Sequence, residues 1–309
     1  MKYSRIISYV QSQLWAIEAS KLSEILEVLA FRASGGEFTK EEIEARLSDS
    51  RDYPSPAASS GAIGVLSVRG TIAHRMGSME ESSGGTSCES IVAGFRQLIA
   101  NPNVSTIVGD FATPGGTVTG VPEAAAEIFA ARGQKRMIAI TNGLNASAGY
   151  WLASQFDEVW SIPSGLTGSI GVYTAHADMS EKLKRDGINV TMISAGKYKV
   201  EGNPFEPLSD EAKARIQAQV DEVYALFVRD VARGRGVSPS DVRNGYGEGR
   251  VQTAKDAKAS GLIDKIGTMD DLLGKLSSSR SSRSSRAGAR AESDGLVMAS
   301  DAERRYRVL

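Results

Sequence analysis

From Ala62 to Leu276, short apolar runs alternate with segments of helical periodicity. AIGVLSV (62–68), VSTIVG (104–109), RMIAIT (136–141), DEVWSI (157–162) and INVTMI (188–193) have the length and β-branched content of strands. Between them, CESIVAGFRQLIA (88–100) and VPEAAAEIFAAR (121–132) carry apolar residues at helical spacing and predict helices. A longer helix is predicted over 209–235, where Ile216, Val220, Val223, Phe227 and Val231 form one stripe suited to a core or a subunit contact. Repeated strand–helix units of this kind point to an α/β layered fold.

The flanks read differently. Residues 1–55 predict short helices, with Leu22, Ile25, Leu26 and Leu29 at helical spacing and a capping-box pattern in Thr39 and Glu42. SDSRDYPSPAASSG (48–61) has the composition of a linker, and its end, 56–61, separates the helical region from the layered domain at 62–276. The segment 277–309 opens with SSSRSSRSSRAGAR, too poor in apolar residues to offset the cost of ordering, and is expected to be a disordered tail. The start, MKYSRIISYVQSQLWAIEASK, is basic and partly apolar. No uncharged run in it approaches the roughly 18 residues of a membrane span, so it reads as neither signal peptide nor anchor.

Composition narrows the choice of function. A hydrophobic content of 41% fills a proper core, and 36 Lys+Arg against 37 Asp+Glu leave no global field for nucleic acid. Cys88 is the only cysteine, which excludes an intramolecular disulfide and a zinc site built of cysteines, and fits a reducing, cytoplasmic setting. No cofactor and no metal are expected.

The candidate chemistry lies in four stretches. NASAGYWLAS (145–154) sets Ser147 among small residues just ahead of an aromatic run. A serine nucleophile needs a base, and the only histidines, His74 in IAHRM and His176 in VYTAHAD near Asp178, are poorly placed for a triad. Lysine is the better base. An amine serves at neutral pH once burial lowers its pKa from about 10.4 to about 7–8, a change of roughly 4 kcal/mol. SAGKYKVEGNPFEP (194–207) offers Lys197 and Lys199, which point the same way if the segment is extended, so periodicity does not choose between them. FATPGGTVTG (111–120) places Pro-Gly-Gly at a strand-to-helix turn, able to hold backbone N–H groups unpaired toward a cleft as an oxyanion hole requires. LTGSIGV (166–172) carries Ser169 between two glycines, a tight turn if nothing more.

Taken in order, PGG, NASAGYWLAS, TGSIGV and GKYKVEGNP closely resemble the signal peptide peptidase A family of Ser-Lys serine peptidases, across about residues 60–275. YWLAS after the serine, the GNPFEPLSDEAKARIQ run and the helical N-terminal region are most similar to the family's bacteriophage branch, the capsid or head maturation proteases. The resemblance implies a Clp protease/crotonase-like fold, Ser147 as nucleophile and Lys199 as general base, the latter ending a Gly-x-x-Lys spacing from Gly196. It implies Ser169 as the residue orienting the lysine, and backbone N–H groups of Gly116 and Ala148 as oxyanion donors. Lys197 becomes a bystander. The chain departs from the family pattern in Ala112-Thr113 before Pro-Gly-Gly and in Ala148 where glycine is common, changes that bear on cleft shape rather than mechanism.

The implied reaction is peptide-bond hydrolysis on capsid, portal or scaffold proteins during prohead assembly in the host cytoplasm. The implied state is a homo-oligomer with the 209–235 helix and the N-terminal region as contacts, without stable nucleic-acid binding or a membrane. A signal-peptide-degrading peptidase would share every catalytic residue but should carry an anchor. A crotonase-type acyl-CoA enzyme would leave Ser147 and Lys199 without a purpose. A non-catalytic assembly or scaffolding protein of the same fold is the alternative from another class.

Overall fold

The computed structural model describes residues 10, 13–33, 35–39, 57–60, 62–76 and 84–278. Glu42 of the expected capping box, the linker apart from 57–60, and the tail from 279 onward lie outside the described residues. A short strand, β1 (Trp15–Ile17), opens the order and runs almost directly into helix α1 (Ala19–Ala33). The layered part starts with β2 (Ala57–Ser60), β3 (Ile63–Arg69), β4 (Ile72–Ala73), β5 (Thr86–Ser87) and helix α2 (Cys88–Ala100). It continues through β6 (Thr106–Thr113), β7 (Gly115–Thr117), α3 (Val121–Ala130), β8 (Arg136–Ala146), α4 (Ala148–Ala153), β9 (Glu158–Ser161) and β10 (Leu166–Gly168). After these come α5 (Ser180–Arg185), α6 (Asp210–Arg235), α7 (Pro239–Gly245), β11 (Val251–Thr253), α8 (Ala254–Ser260) and β12 (Lys265–Ile266).

Four of the helices begin where the sequence supplies a side-chain cap. Ser87, Ser209, Ser238 and Thr253 each accept a first-turn backbone N–H at the starts of α2, α6, α7 and α8. One face of α2, made of Ile91, Gly94, Phe95 and Leu98, is buried. The larger sheet runs β11-β10-β8-β6-β3-β2, with β9 beside β8 and β12 beside β9. Strands β3, β6, β8 and β10 are parallel, while β2 and β11 are antiparallel additions. Strand β8 changes neighbour along its length, pairing β9 through Ile138–Thr141 and β10 through Leu144–Ala146. A second sheet has the order β1-β7-β4-β5.

Two features differ from the sequence pattern. Ala57–Ser60, in the stretch with linker composition, pairs as a strand with Ile63–Leu66; their small side chains fit beside Gly94 of α2. INVTMI (188–193) forms no strand: no partner among the described residues completes its ladder, and Ile188 is 51% and Ile193 93% exposed. A β pattern without a neighbouring strand leaves its backbone groups to water.

The chain divides into two compact units, Met1–Ile266 and Gly267–Leu309. Strands β1–β12 and helices α1–α8 all belong to the first. The described part of the second holds a helix over 269–278, opened by reciprocal hydrogen bonds between Thr268 and Asp271.

The core of the first unit gathers around α4, whose six residues are all buried. Trp151 stacks on Phe227 of α6 at 4.2 Å with 6° between the rings, and its indole N–H donates to Asp230 at 3.0 Å. Tyr150 donates to the Leu262 carbonyl at 2.7 Å. Full burial of such side chains contributes on the order of 1.5–3 kcal/mol each, and the hydrogen bonds offset the cost of enclosing their polar ends. The aromatic run after Ser147 therefore fixes a short helix between the sheet and α6.

Candidate active site

Ser147 lies between the end of β8 and the start of α4. It is fully buried and has φ 55° and ψ −117°, a conformation that costs a non-glycine residue roughly 1–3 kcal/mol. Bonds on both sides hold it there: its N–H donates to the Gly168 carbonyl at 2.8 Å, and its carbonyl accepts from Trp151 at 2.9 Å. Its hydroxyl makes one long contact, 3.4 Å to the Gly171 carbonyl.

Ser169 is the second strained serine. It has φ 54°, follows the end of β10, and donates its N–H to the Arg250 carbonyl at 2.8 Å. Ala146 and Gly168 are register partners in the parallel β8–β10 pair, so Ser147 and Ser169 leave adjacent strands side by side. Carboxyl ends of parallel strands are where open α/β sheets bind ligands.

The two glycines of Pro-Gly-Gly open β7 (Gly115–Thr117) rather than a bare turn. Gly115 has φ 95°, and a methyl group placed on it would lie 2.3 Å from the Ala16 carbonyl oxygen, 3.0 Å from the Ala146 carbonyl and 3.0 Å from the Ala148 nitrogen. This glycine is thus where β7, β1 and the backbone around Ser147 meet, and only a residue without Cβ fits. A methyl on Gly116 would meet the Ile72 carbonyl at 1.7 Å. The N–H groups of this turn are not left unpaired as the sequence suggested. Gly115 donates to the Thr113 hydroxyl at 3.0 Å, and Gly116 stands opposite Ala16 in the β1–β7 ladder. The unforeseen strand β1 supplies that pairing.

Lys199 is exposed, and among the described residues no hydrogen bond or ion pair joins it to Ser147 or Ser169. Its N–H closes a turn onto Gly196, φ 98°, at 3.1 Å, so the Gly-x-x-Lys spacing is one turn of chain. The burial that a neutral catalytic amine needs is absent around it in the single chain. Lys197 is engaged instead: its amine reaches the Tyr198 hydroxyl at 2.7 Å and Glu211 at 3.2 Å, and these hydrogen bonds raise its pKa. That holds it charged and unfit as a base.

The remaining candidates separate clearly. Nδ1 of His74 faces Gly120, and His176 contacts the Asn203 carbonyl at 3.2 Å; no hydrogen bond joins either to Ser147. Burial, with the Glu123 charge adding to it, pushes the Cys88 thiol up to about 12, which removes it as a nucleophile at neutral pH. Among the described residues no cluster of three or more His, Cys, Asp or Glu could hold a metal. No helix among them is long and apolar enough to cross a membrane.

Asn145 escaped the sequence reading. It is fully buried two residues before Ser147, and among the described residues neither end of its amide has a hydrogen-bond partner. Its position in NASAG was the only available signal. A cleft of about 660 Å³ opens beside the site, lined by Leu14, Val172, Tyr173, His176, Ile216 and Val220. The upper part of the α6 stripe therefore faces a cleft, while Phe227 and Val231 are in the core.

The family model for peptidase family S49 matches residues 130–282. Capsid assembly protease C of Escherichia phage lambda is 32% identical over 258 residues, 82% of this chain and 58% of that protein. Head-tail preconnector protein GP5 of Enterobacteria phage P21 is 33% identical over 211 residues, 68% of this chain and 42% of that protein. Protease 4 of Salmonella typhi is 29% identical over 241 residues, 77% of this chain and 38% of that protein. The chain thus spans about half the length, or less, of these relatives.

Proposed function

We propose that this chain, which belongs to peptidase family S49, is a serine endopeptidase of a Ser-Lys type acting on capsid, portal or scaffold proteins of a phage. The observation that carries the chemistry is the strained, buried Ser147 beside Ser169, with the Ala148 N–H next to it. Strain of this kind persists only where the surroundings enforce it, and both serines are pinned by backbone hydrogen bonds at 2.8 Å. The names of the two phage relatives support the substrate class.

In this reading Lys199 takes the Ser147 proton as the hydroxyl attacks a peptide carbonyl, and the Gly116 and Ala148 N–H groups stabilise the oxyanion. The lysine then protonates the leaving amine. Water, deprotonated by the same lysine, attacks the acyl-serine and releases the acid. Ser169 orients the amine.

The exposure of Lys199 adds a requirement. The extended segment around it shows Ile188, Val190, Met192 and Ile193 to solvent, and covering that surface with a second copy supplies the missing burial. The lysine of one copy then serves the serine of its neighbour. Complementation tests this directly. Ser147→Ala and Lys199→Ala proteins, each inactive, should recover cleavage of a capsid-protein substrate when mixed and reassembled. If the mixture stays as inactive as its components while wild type cleaves, the dyad does not cross between copies.

A further inference from the structure

Strand β1 does more than extend a sheet. It is bonded on both edges: Trp15 exchanges N–H···O bonds with Tyr173 at 2.9 and 3.0 Å, while Glu18 donates to Pro114 at 2.7 Å and Leu14 accepts from Val118 at 3.1 Å. The last two bonds flank the pair Ala16–Gly116, so the antiparallel alternation gives Gly116 N–H to the Ala16 carbonyl and Ala16 N–H to Gly116. The same carbonyl lies against Gly115, whose other neighbours are the Ala146 carbonyl and the Ala148 nitrogen. The Ala16 carbonyl thus occupies the Gly116 N–H assigned to the oxyanion hole, on the side of Gly115 that also faces the Ala148 nitrogen.

The side chains sort in the same sense. Trp15 and Ile17 join Leu22 of α1 in a separate small core, with Ile25, Leu26 and Leu29 packed against it. Ala16 belongs to the main core, and Leu14 packs against that core. By the period of two along a strand, Leu14 and Ala16 face the peptidase body while Trp15 and Ile17 face α1.

We infer that β1 is a built-in pseudosubstrate: it fills the slot between Gly116–Val118 and Tyr173, with Ala16 where the residue before a scissile bond belongs, and must leave before a protein substrate is cut. The inference rests on the Ser147 protease reading. Its geometry also names the peptide the slot accepts, an extended chain with a small residue at the carbonyl and an aliphatic residue two positions earlier. The strand resists cleavage because its far side is tethered. Glu18 is bonded to Pro114 and α1 begins at Ala19, so an amine released at Ile17 would stay in place to reform the bond.

The test is the rate at which a fluorophosphonate labels Ser147 in the full chain, for wild type, Ala16→Pro and Trp15→Ala. Proline removes the N–H that pairs with Gly116; alanine removes the anchor on α1 and leaves the slot untouched, which covers the case in which the proline variant misfolds. Both folded variants should label at least threefold faster, and exchange of the Gly116 and Tyr173 amides should accelerate. Labelling of Ser147 at the wild-type rate in folded Trp15→Ala would overturn the pseudosubstrate and leave the protease reading standing. Absence of labelling in all three proteins, each shown to be folded and assembled, would overturn both. A new N-terminus at Ile17 in the wild type would make the strand a substrate and overturn its inhibitory role.

Discussion

Ser147 keeps a costly backbone conformation because Trp151, one turn on, is locked between Phe227 and Asp230. The strain at the serine is maintained by packing elsewhere. The lysines give a prediction at the same scale. Lys197→Ala should retain cleavage close to wild type, because Lys197 is tied to Tyr198 and Glu211, whereas Lys199→Ala should lose at least a hundredfold in kcat; steady-state rates on one substrate check both. Gly116→Ala should lower Tm by several degrees in a thermal melt, because its methyl would meet the Ile72 carbonyl at 1.7 Å and backbone cannot yield as a side chain can. A Tm equal to wild type would mean that β4 and β7 are not packed as described.

Elements carry their own tests. Strands β8, β9 and β12 meet around Glu158, where burial pushes the carboxyl up but hydrogen bonds from Trp160, Lys265 and Arg136 outweigh it and hold the pKa at about 2. A depressed carboxylate stabilises the fold fully above its ordinary value near 4.5, and that stability disappears as pH falls through about 2. Glu158→Gln should therefore flatten the acid limb of the stability curve between those values, read by denaturant melts at several pH values; an unchanged slope would contradict the pairing.

Most of these elements were legible in the sequence. The runs at 62–68, 88–100, 136–141 and 209–235 became β3, α2, the first half of β8 and α6, because period and length are local properties. β1 and β7 were not legible. Each has three residues, and β1 pairs with a segment about a hundred residues away, so nothing local marks it. INVTMI failed for the opposite reason: its alternation is real, but a strand exists only with a neighbour. At the site, the adjacency of Ser147 and Ser169 followed from a register that no spacing reveals. The occupancy of the Gly116 N–H depends on the same unseen strand.

At the scale of the whole molecule, the exposed apolar segment and the exposed Lys199 motivate the proposal that the site is completed by a second copy. Sedimentation of wild type against Ile193→Asp should show the variant shifted toward monomer, since a residue 93% exposed here would carry a charge into a buried contact. Equal sedimentation of the two would place the contact elsewhere. Ser147 is proposed to be an activated nucleophile served by Lys199. Fluorophosphonate labelling with mapping of the modified peptide, on assembled wild type, Ser147→Ala and Lys199→Ala, tests it most directly. Label should fall on Ser147 alone, with none in the first variant and a large loss in the second. Label on another serine, or full labelling of Ser147 without Lys199, would contradict it.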